Sequence, residues 1–483
     1  MFVKKTIIAV IAASLAVNVM ATEPSGFRVG KENQKSVALT IYNNNFAVVQ
    51  DVREVTLPKG LVALEYLDVA KDIEPSSLLT HSVKKADAIT VLEQSYKNRP
   101  LNRNSILESY IGRKIKYSRE VLIGAKYEKI LREGILLSIN PEIVEFGDVI
   151  EISPAGVISL SHLPIGLNLS PTLVWLLENK MRGTQDIETS YITSNIRWQA
   201  DYTITLSKNS DKFDSRNFDQ ETFDLGSWIT INNQSGADFR NAKINLVAGE
   251  VHRVAQGPRQ SNFAQKERMM SMASDAAIQS EPAFEYHHYS VPNRTDILDR
   301  TDKQIRFMQA SNVNFEKTYV FSGRNYNYQQ TQLSEDKAEV KIRFLNNKKN
   351  NLGMPLPKGK VRVYQEGNND SLLLLGEDII KSKAVGQNIN LTLGRAFDIS
   401  SKRKQISFRR ISDRKVETSY EIKIMNAKNH SVEVIVNESM QGEWKVLQQN
   451  ESSKRIDSTT LQYRLTVPKN STKIIEYTAQ SRF

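Results

Sequence analysis

The chain contains no cysteine among its 483 residues. Disulfide bridges, thiolate metal sites, cysteine nucleophiles and the lipid-anchored cysteine of a bacterial lipoprotein are therefore excluded. Long apolar runs are also scarce, because hydrophobic residues make up only 40% of the chain. A polytopic membrane protein, which needs several apolar spans of about 20 residues, is excluded as well. The length predicts about two to four domains, each large enough to bury its own core.

Residues 1–21 have the pattern of a secretory signal peptide. Two lysines precede the short apolar stretch 7–17, and Val19 and Ala21 are the small residues expected before a cleavage point. The apolar stretch is shorter than a membrane span of about 20 residues, so we predict cleavage rather than anchoring. The sequence thus predicts an exported protein, periplasmic or extracellular, with no transmembrane span once the signal is removed.

The formal net charge is +11, and cleavage would remove Lys4 and Lys5 and leave +9. Basic residues are scattered, with the densest group between Lys402 and Lys415 interleaved with apolar residues at strand-like spacing. This arrangement predicts a solvated sheet face and no nucleic-acid binding. The alternative is an anionic partner, either lipid head groups or an acidic glycan.

Alternation of apolar and polar residues with a period of two dominates the chain, as in 36–52 and 189–206. The stretch 173–177 follows Pro171 and is predicted as a strand rather than a helix. We predict a mainly β fold of antiparallel β-sandwich domains with a small inserted barrel-like β domain. No helix longer than about three turns is expected.

The predicted boundaries are an N-terminal β domain at 22–100, the barrel-like insertion at 101–165 and a C-terminal β-sandwich region at 166–483. The segment 254–281 is rich in Gln, Ser, Ala and Met and lacks periodicity, which predicts a flexible excursion.

Few residues are arranged for chemistry. The adjacent acids Glu377 and Asp378 are weak candidates for a catalytic pair, although adjacent acids between two strands more often form a turn. His287 and His288 are weak candidates for a metal site, but neighbours on a strand face opposite sides. No cofactor site is predicted.

Two further groups of residues could likewise be either functional or purely structural. The acids Asp68, Asp72 and Glu74 do not have the spacing of a calcium loop. The four tryptophans could stack on sugars, but each lies in a strand-like pattern that favours core packing; they are Trp175, Trp198, Trp228 and Trp444.

Several segments together resemble the family of exported bacterial proteins built on the domain of unknown function 4139, some of them called mucoidy inhibitor A. The segments are 39–48, 57–60, 73–77, 191–202, 246–250, 375–378, 393–398, 442–444 and 463–468. The resemblance spans nearly the whole mature chain and implies an exported, mostly β protein, with no catalytic residues to transfer. Many relatives carry a coiled coil in the N-terminal half, and this chain lacks the heptads for one.

These observations predict a non-enzymatic binding or structural protein of the cell envelope or the extracellular space, with an envelope protein or an anionic glycan or lipid surface as its partner. The alternative is a hydrolase that uses carboxylates such as Glu377 and Asp378 on envelope polysaccharide or protein. The sequence does not determine the oligomeric state.

Overall fold

The structure is a computed structural model. It describes residues 26–98, 102–123, 126–162, 170–206, 221–249, 251–253, 279–283, 286–326, 328–330, 333–367 and 371–482. The predicted signal peptide lies outside the described residues, and so does most of the predicted excursion at 254–281. Its last three residues are described and belong to a strand.

The mainly β fold is confirmed, because strands account for 69% of the described residues. In the described part of the chain, the one α-helix is α1, Arg103–Glu108. The strands are β1 Gly26–Val29, β2 Gln34–Tyr42, β3 Phe46–Leu57, β4 Gly60–Tyr66, β5 Leu79–Ser82, β6 Ile89–Lys97, β7 Lys114–Ile123, β8 Lys126–Ile139, β9 Glu142–Phe146, β10 Val149–Ile152, β11 Val157–Ser159, β12 Thr172–Asn179, β13 Gly183–Ser194, β14 Ile196–Leu206, β15 Thr222–Asn233, β16 Phe239–Ala248, β17 Gln279–Ala283, β18 Tyr286–Ser290, β19 Thr295–Ile297, β20 Thr301–Asn314, β21 Glu316–Arg324, β22 Ser334–Leu345, β23 Gly359–Glu366, β24 Leu372–Ile380, β25 Asn388–Ser412, β26 Lys415–Asn426, β27 Val432–Ser439, β28 Glu443–Gln449, β29 Ser453–Arg455, β30 Thr460–Val467 and β31 Ser471–Arg482.

The chain forms two compact units. The first contains the described residues of 1–36, 51–71 and 75–190, and the second contains 37–50, 72–74 and 191–483. The long strands β2, β3 and β13 each contribute residues to both units. The sequence boundaries at residues 100 and 165 stay a prediction.

The first unit contains a four-stranded sheet in the order β1-β4-β12-β6 and a five-stranded sheet in the order β10-β9-β8-β7-β11. The strand predicted at 173–177 is confirmed as part of β12. Asn102 is the N-cap of helix α1, and its side chain accepts a hydrogen bond from the Ser105 backbone amide at 2.9 Å. Such a cap satisfies an amide that the first helical turn leaves unpaired.

The second unit contains a five-stranded sheet in the order β20-β15-β14-β23-β24 and a nine-stranded sheet in the order β28-β31-β26-β25-β22-β21-β27-β30-β29. In the same unit β17, β18, β16 and β2 follow one another across a further sheet. Among all the sheets of the described residues, one is curled into a half-barrel. The prediction of antiparallel sheets needs one refinement, because β2–β16, β14–β23 and β21–β27 are parallel pairs.

Apolar side chains on alternate strand positions form the cores of the second unit. Trp198 and Tyr202 on β14 are 2% and 1% exposed, and they share the inward face because residues four positions apart on a strand point to the same side. The Trp198 indole donates a hydrogen bond to the Val247 carbonyl at 3.2 Å, and the Tyr202 hydroxyl donates one to the Pro357 carbonyl at 2.8 Å. Both polar atoms are therefore satisfied inside the core.

Where the structure describes the chain, no helix combines the length and the apolar character that crossing a membrane requires.

Candidate binding surface

The five-stranded sheet of the first unit has one covered face. On that face Ile115, Tyr117, Leu136 and Val144 pack with Leu107 of α1, and each is at most 3% exposed. The Tyr117 hydroxyl donates a hydrogen bond to the Glu142 carboxylate. Burial and this carboxylate raise the pKa of Tyr117 above its ordinary value, so the hydroxyl remains a donor at neutral pH. This side of the sheet therefore contains a small core.

The opposite face of the same sheet is open. Residues that pair directly across neighbouring strands point to the same side, and the register places six large apolar side chains on this side. They are Leu122, Tyr127, Leu131, Ile150, Ile152 and Val157, which are 56%, 74%, 63%, 61%, 67% and 68% exposed. We call these six residues the outer face. Single exposed apolar residues are normal, but six on one side of a five-stranded sheet mark an interaction surface.

Two features of the backbone make the outer face accessible. Strand β10 is the last strand of its sheet, so in the described residues no strand pairs with its free side. The β7–β8 hairpin extends past the core, and residues 126–133 of β8 are all exposed. A free edge offers unpaired amides and carbonyls to an added strand, and apolar side chains beside it favour such a contact.

The candidate catalytic acids lie on β24 of the second unit. The Glu377 carboxylate accepts a hydrogen bond from Arg362 at 2.7 Å and lies 3.9 Å from the Lys360 ammonium. The two Asp378 oxygens accept hydrogen bonds from the backbone amides of Ile379, at 2.7 Å, and Thr392, at 2.8 Å. Glu377 is thus ion-paired, and Asp378 holds neighbouring backbone in place.

The candidate metal ligands His287 and His288 are adjacent on β18 and half-buried. The His287 ring lies 6.5 Å from the ring of Tyr289, and burial lowers the pKa of His287, which favours the neutral ring at pH 7. Within the described residues, no group of three or more His, Asp or Glu side chains is placed to hold a metal ion.

The second acidic group is divided by the fold. Asp68 belongs to the first unit, whereas Asp72 and Glu74 belong to the second. Asp72 accepts a hydrogen bond from the Asn195 side chain at 2.7 Å. Glu74 accepts from Arg253 with both carboxylate oxygens, each at 2.7 Å. These carboxylates hold neighbouring segments in place.

One cavity of about 670 Å³ lies in the second unit between β21, β22 and β30. Two of its carboxylates, Glu316 and Glu433, lie 2.6 Å and 3.7 Å from the Arg464 guanidinium. Arg464 of β30 thus forms ion pairs with a carboxylate of β21 and a carboxylate of β27.

Three of the four tryptophans are core residues, at 1%, 2% and 6% exposure for Trp175, Trp198 and Trp444. The core prediction is wrong for Trp228, which is 40% exposed. Its neighbours on β15 at odd positions are buried, so the even-numbered Trp228 points outward. The Arg306 guanidinium lies over its ring at 5.7 Å from the centroid.

No protein-family model matches the chain. No curated protein matches it either.

Proposed function

We propose that this chain is a non-enzymatic binding protein that is exported to the cell envelope, and that its outer face contacts an envelope protein. The observation that carries the proposal is the outer face itself, where six large apolar side chains are more than half exposed. The signal-peptide pattern of residues 1–21 supports export. The segments that resemble the domain of unknown function 4139 support membership of that family, which is equally a proposal.

The partner that best fits the outer face is a protein segment in extended conformation. It would pair its backbone with the free edge of β10 and cover Ile150 and Ile152 with apolar side chains. Among the described residues, the register places three basic and three acidic side chains on the same side of the sheet, namely Lys114, Lys116, Lys129, Glu120, Glu133 and Glu145. These charges balance, so this side offers little for a highly charged ligand. Burying exposed isoleucine and leucine side chains against a dry protein surface contributes favourable binding free energy, whereas contact with a hydrated glycan contributes little.

A triple variant Leu131→Ser, Ile150→Ser and Ile152→Ser is expected to lose the partner. Each replacement removes about 1 kcal/mol of apolar burial at the interface, so the affinity should fall roughly hundredfold. The measurement is capture of envelope proteins by the immobilised chain, with the bound proteins identified and quantified by mass spectrometry.

The matched control is Leu372→Ser with Leu374→Ser. These leucines are 60% and 54% exposed on β24 of the second unit, so the control makes two replacements of the same kind on a different surface. Melting temperatures of both variants equal to that of the wild type would show that folding is intact. A protein retained by wild type and control but lost by the triple variant supports the proposal, whereas equal retention by all three chains contradicts it.

A further inference from the structure

The hairpin formed by β25 and β26 ends in a surface that differs from the outer face, because it combines basic and apolar side chains. We call residues 404–417, together with the adjacent Tyr328 and Leu333, the tip. Tyr328 is held there because its carbonyl accepts a hydrogen bond from the Gln405 side chain at 3.2 Å. Ser334 pairs with Arg403 in the sheet, which places Leu333 beside the start of the tip.

The tip has an excess of positive charge. Residues 404–417 include five basic and two acidic side chains. The two acids are already paired, Asp413 with Arg410 and Glu417 with Arg409. In the part of the chain that the structure describes, no ion pair involves the remaining three, which are Lys404, Arg414 and Lys415.

Apolar side chains project beside these cations. The β25–β26 register shifts between Gln405 and Ser407 and again between Arg410 and Ser412. Ile406 and Ile411 are the extra residues at these two bulges, and they are 55% and 43% exposed. A bulge leaves its extra residue out of the ladder and redirects the side chain. Tyr328 and Leu333, which are 54% and 45% exposed, add to the same surface.

We infer that the tip docks on the surface of an anionic phospholipid membrane. Unpaired lysine and arginine side chains are attracted to anionic head groups, and each contributes a similar amount to the free energy of binding. The exposed isoleucines and Tyr328 suit the boundary between head groups and acyl chains. An acidic polysaccharide would also attract the charges, but it offers no apolar layer for Ile406 and Ile411. This inference goes beyond the protein contact proposed for the outer face and does not depend on it.

The test is co-sedimentation of the purified chain with vesicles of phosphatidylcholine, with and without phosphatidylglycerol. The wild type is expected to bind only the vesicles that contain phosphatidylglycerol, more weakly as salt is raised. The variant Lys404→Gln, Arg414→Gln and Lys415→Gln should bind roughly hundredfold more weakly. The matched control replaces Lys349, Lys358 and Lys469 by Gln, three exposed lysines of the same unit outside the tip, and should bind like the wild type.

Insertion of the tip has its own readout. Because the chain contains no cysteine, an Ile411→Cys variant can be labelled at one position with an environment-sensitive fluorophore. Its emission should shift to the blue on anionic vesicles, whereas the same label at Lys469→Cys should not respond.

Three results would overturn the inference. The first is that the wild type fails to bind anionic vesicles, and the second is that the control variant loses as much binding as the tip variant. The third is that an acidic polysaccharide competes with vesicles for the chain and binds an Ile406→Ser, Ile411→Ser variant as well as it binds the wild type. Equal melting temperatures of all variants would establish that the differences arise at the surface.

Discussion

Replacing Glu438 with glutamine is expected to lower the free energy of unfolding of the second unit by about 3 to 5 kcal/mol. Glu438 on β27 is fully buried. Its carboxylate accepts hydrogen bonds from Arg403 at 2.6 Å and 3.1 Å and from the Tyr477 hydroxyl at 2.6 Å. The Arg403 guanidinium also lies over the Tyr420 ring, at 3.7 Å from its centroid. Without the carboxylate, a nearly buried cation would have no counter-charge.

The sequence around this carboxylate is adapted to it. Gly323 of β21 faces Glu438 so closely that any side chain at position 323 would collide with the carboxylate. Burial and the charge of Glu438 raise the pKa of Tyr477 well above its ordinary value, so its hydroxyl stays a donor at neutral pH. The ion pair of Glu438 with Arg403 is therefore an integral part of the nine-stranded sheet.

Urea unfolding, combined with hydrogen exchange of β25, β27 and β31, measures this loss. The control is Glu417→Gln, which breaks the ion pair with the 69% exposed side chain of Arg409 and should cost less than about 1 kcal/mol. Equal, small effects of the two variants would show that Glu438 and Arg403 do not stabilise the fold.

The second large effect is expected in the first unit, from Arg53→Met. Arg53 on β3 is completely buried and donates to the Asp51 carboxylate at 2.7 Å and 3.0 Å. It also donates to the carbonyls of Leu67, at 2.7 Å, and Val29, at 3.1 Å, and it stacks on Tyr66. Removing the guanidinium leaves a buried carboxylate and two carbonyls without these donors, at a cost of about 3 to 5 kcal/mol.

Hydrogen exchange of β1, β3 and β4 measures the effect of Arg53→Met, because the Arg53 contacts connect these strands. The exposed arginine Arg28, which pairs with Glu65 at 2.7 Å and is 66% exposed, provides the control. An Arg28→Met variant should lose less than about 1 kcal/mol. Wild-type exchange rates in the Arg53 variant would contradict the account of this core.

The strand content could be predicted because a period of two is visible in sequence without tertiary information. The same pattern puts Trp198 and Tyr202 on one face of a strand, because they are four positions apart. The pattern could also have corrected the prediction for Trp228, since the buried Ile229 and Ile231 show that the odd-numbered positions of β15 face inward. Parallel pairs such as β2 with β16 could not be predicted, because residues about 200 positions apart meet only in the folded chain.

The buried charges were missed for a related reason. Asp51 and Arg53 alternate with outward residues and share the parity of the buried Val49 and Val55, so their spacing was a usable signal. Charged side chains are rarely buried unless they are paired, and general preference therefore predicts exposure. The outer face was missed because alternation does not show which side of a sheet is covered. That depends on where α1 packs.

Site-specific photo-crosslinking tests most directly whether the outer face is a protein-binding surface. A photoreactive amino acid is placed at Leu131 or Ile150 of the chain in its own cells, and at Leu372 or Leu374 as the matched control. We expect one protein to be crosslinked from both outer-face positions and from neither control position. No adduct from the outer face, or the same adducts from all four positions, would contradict that role.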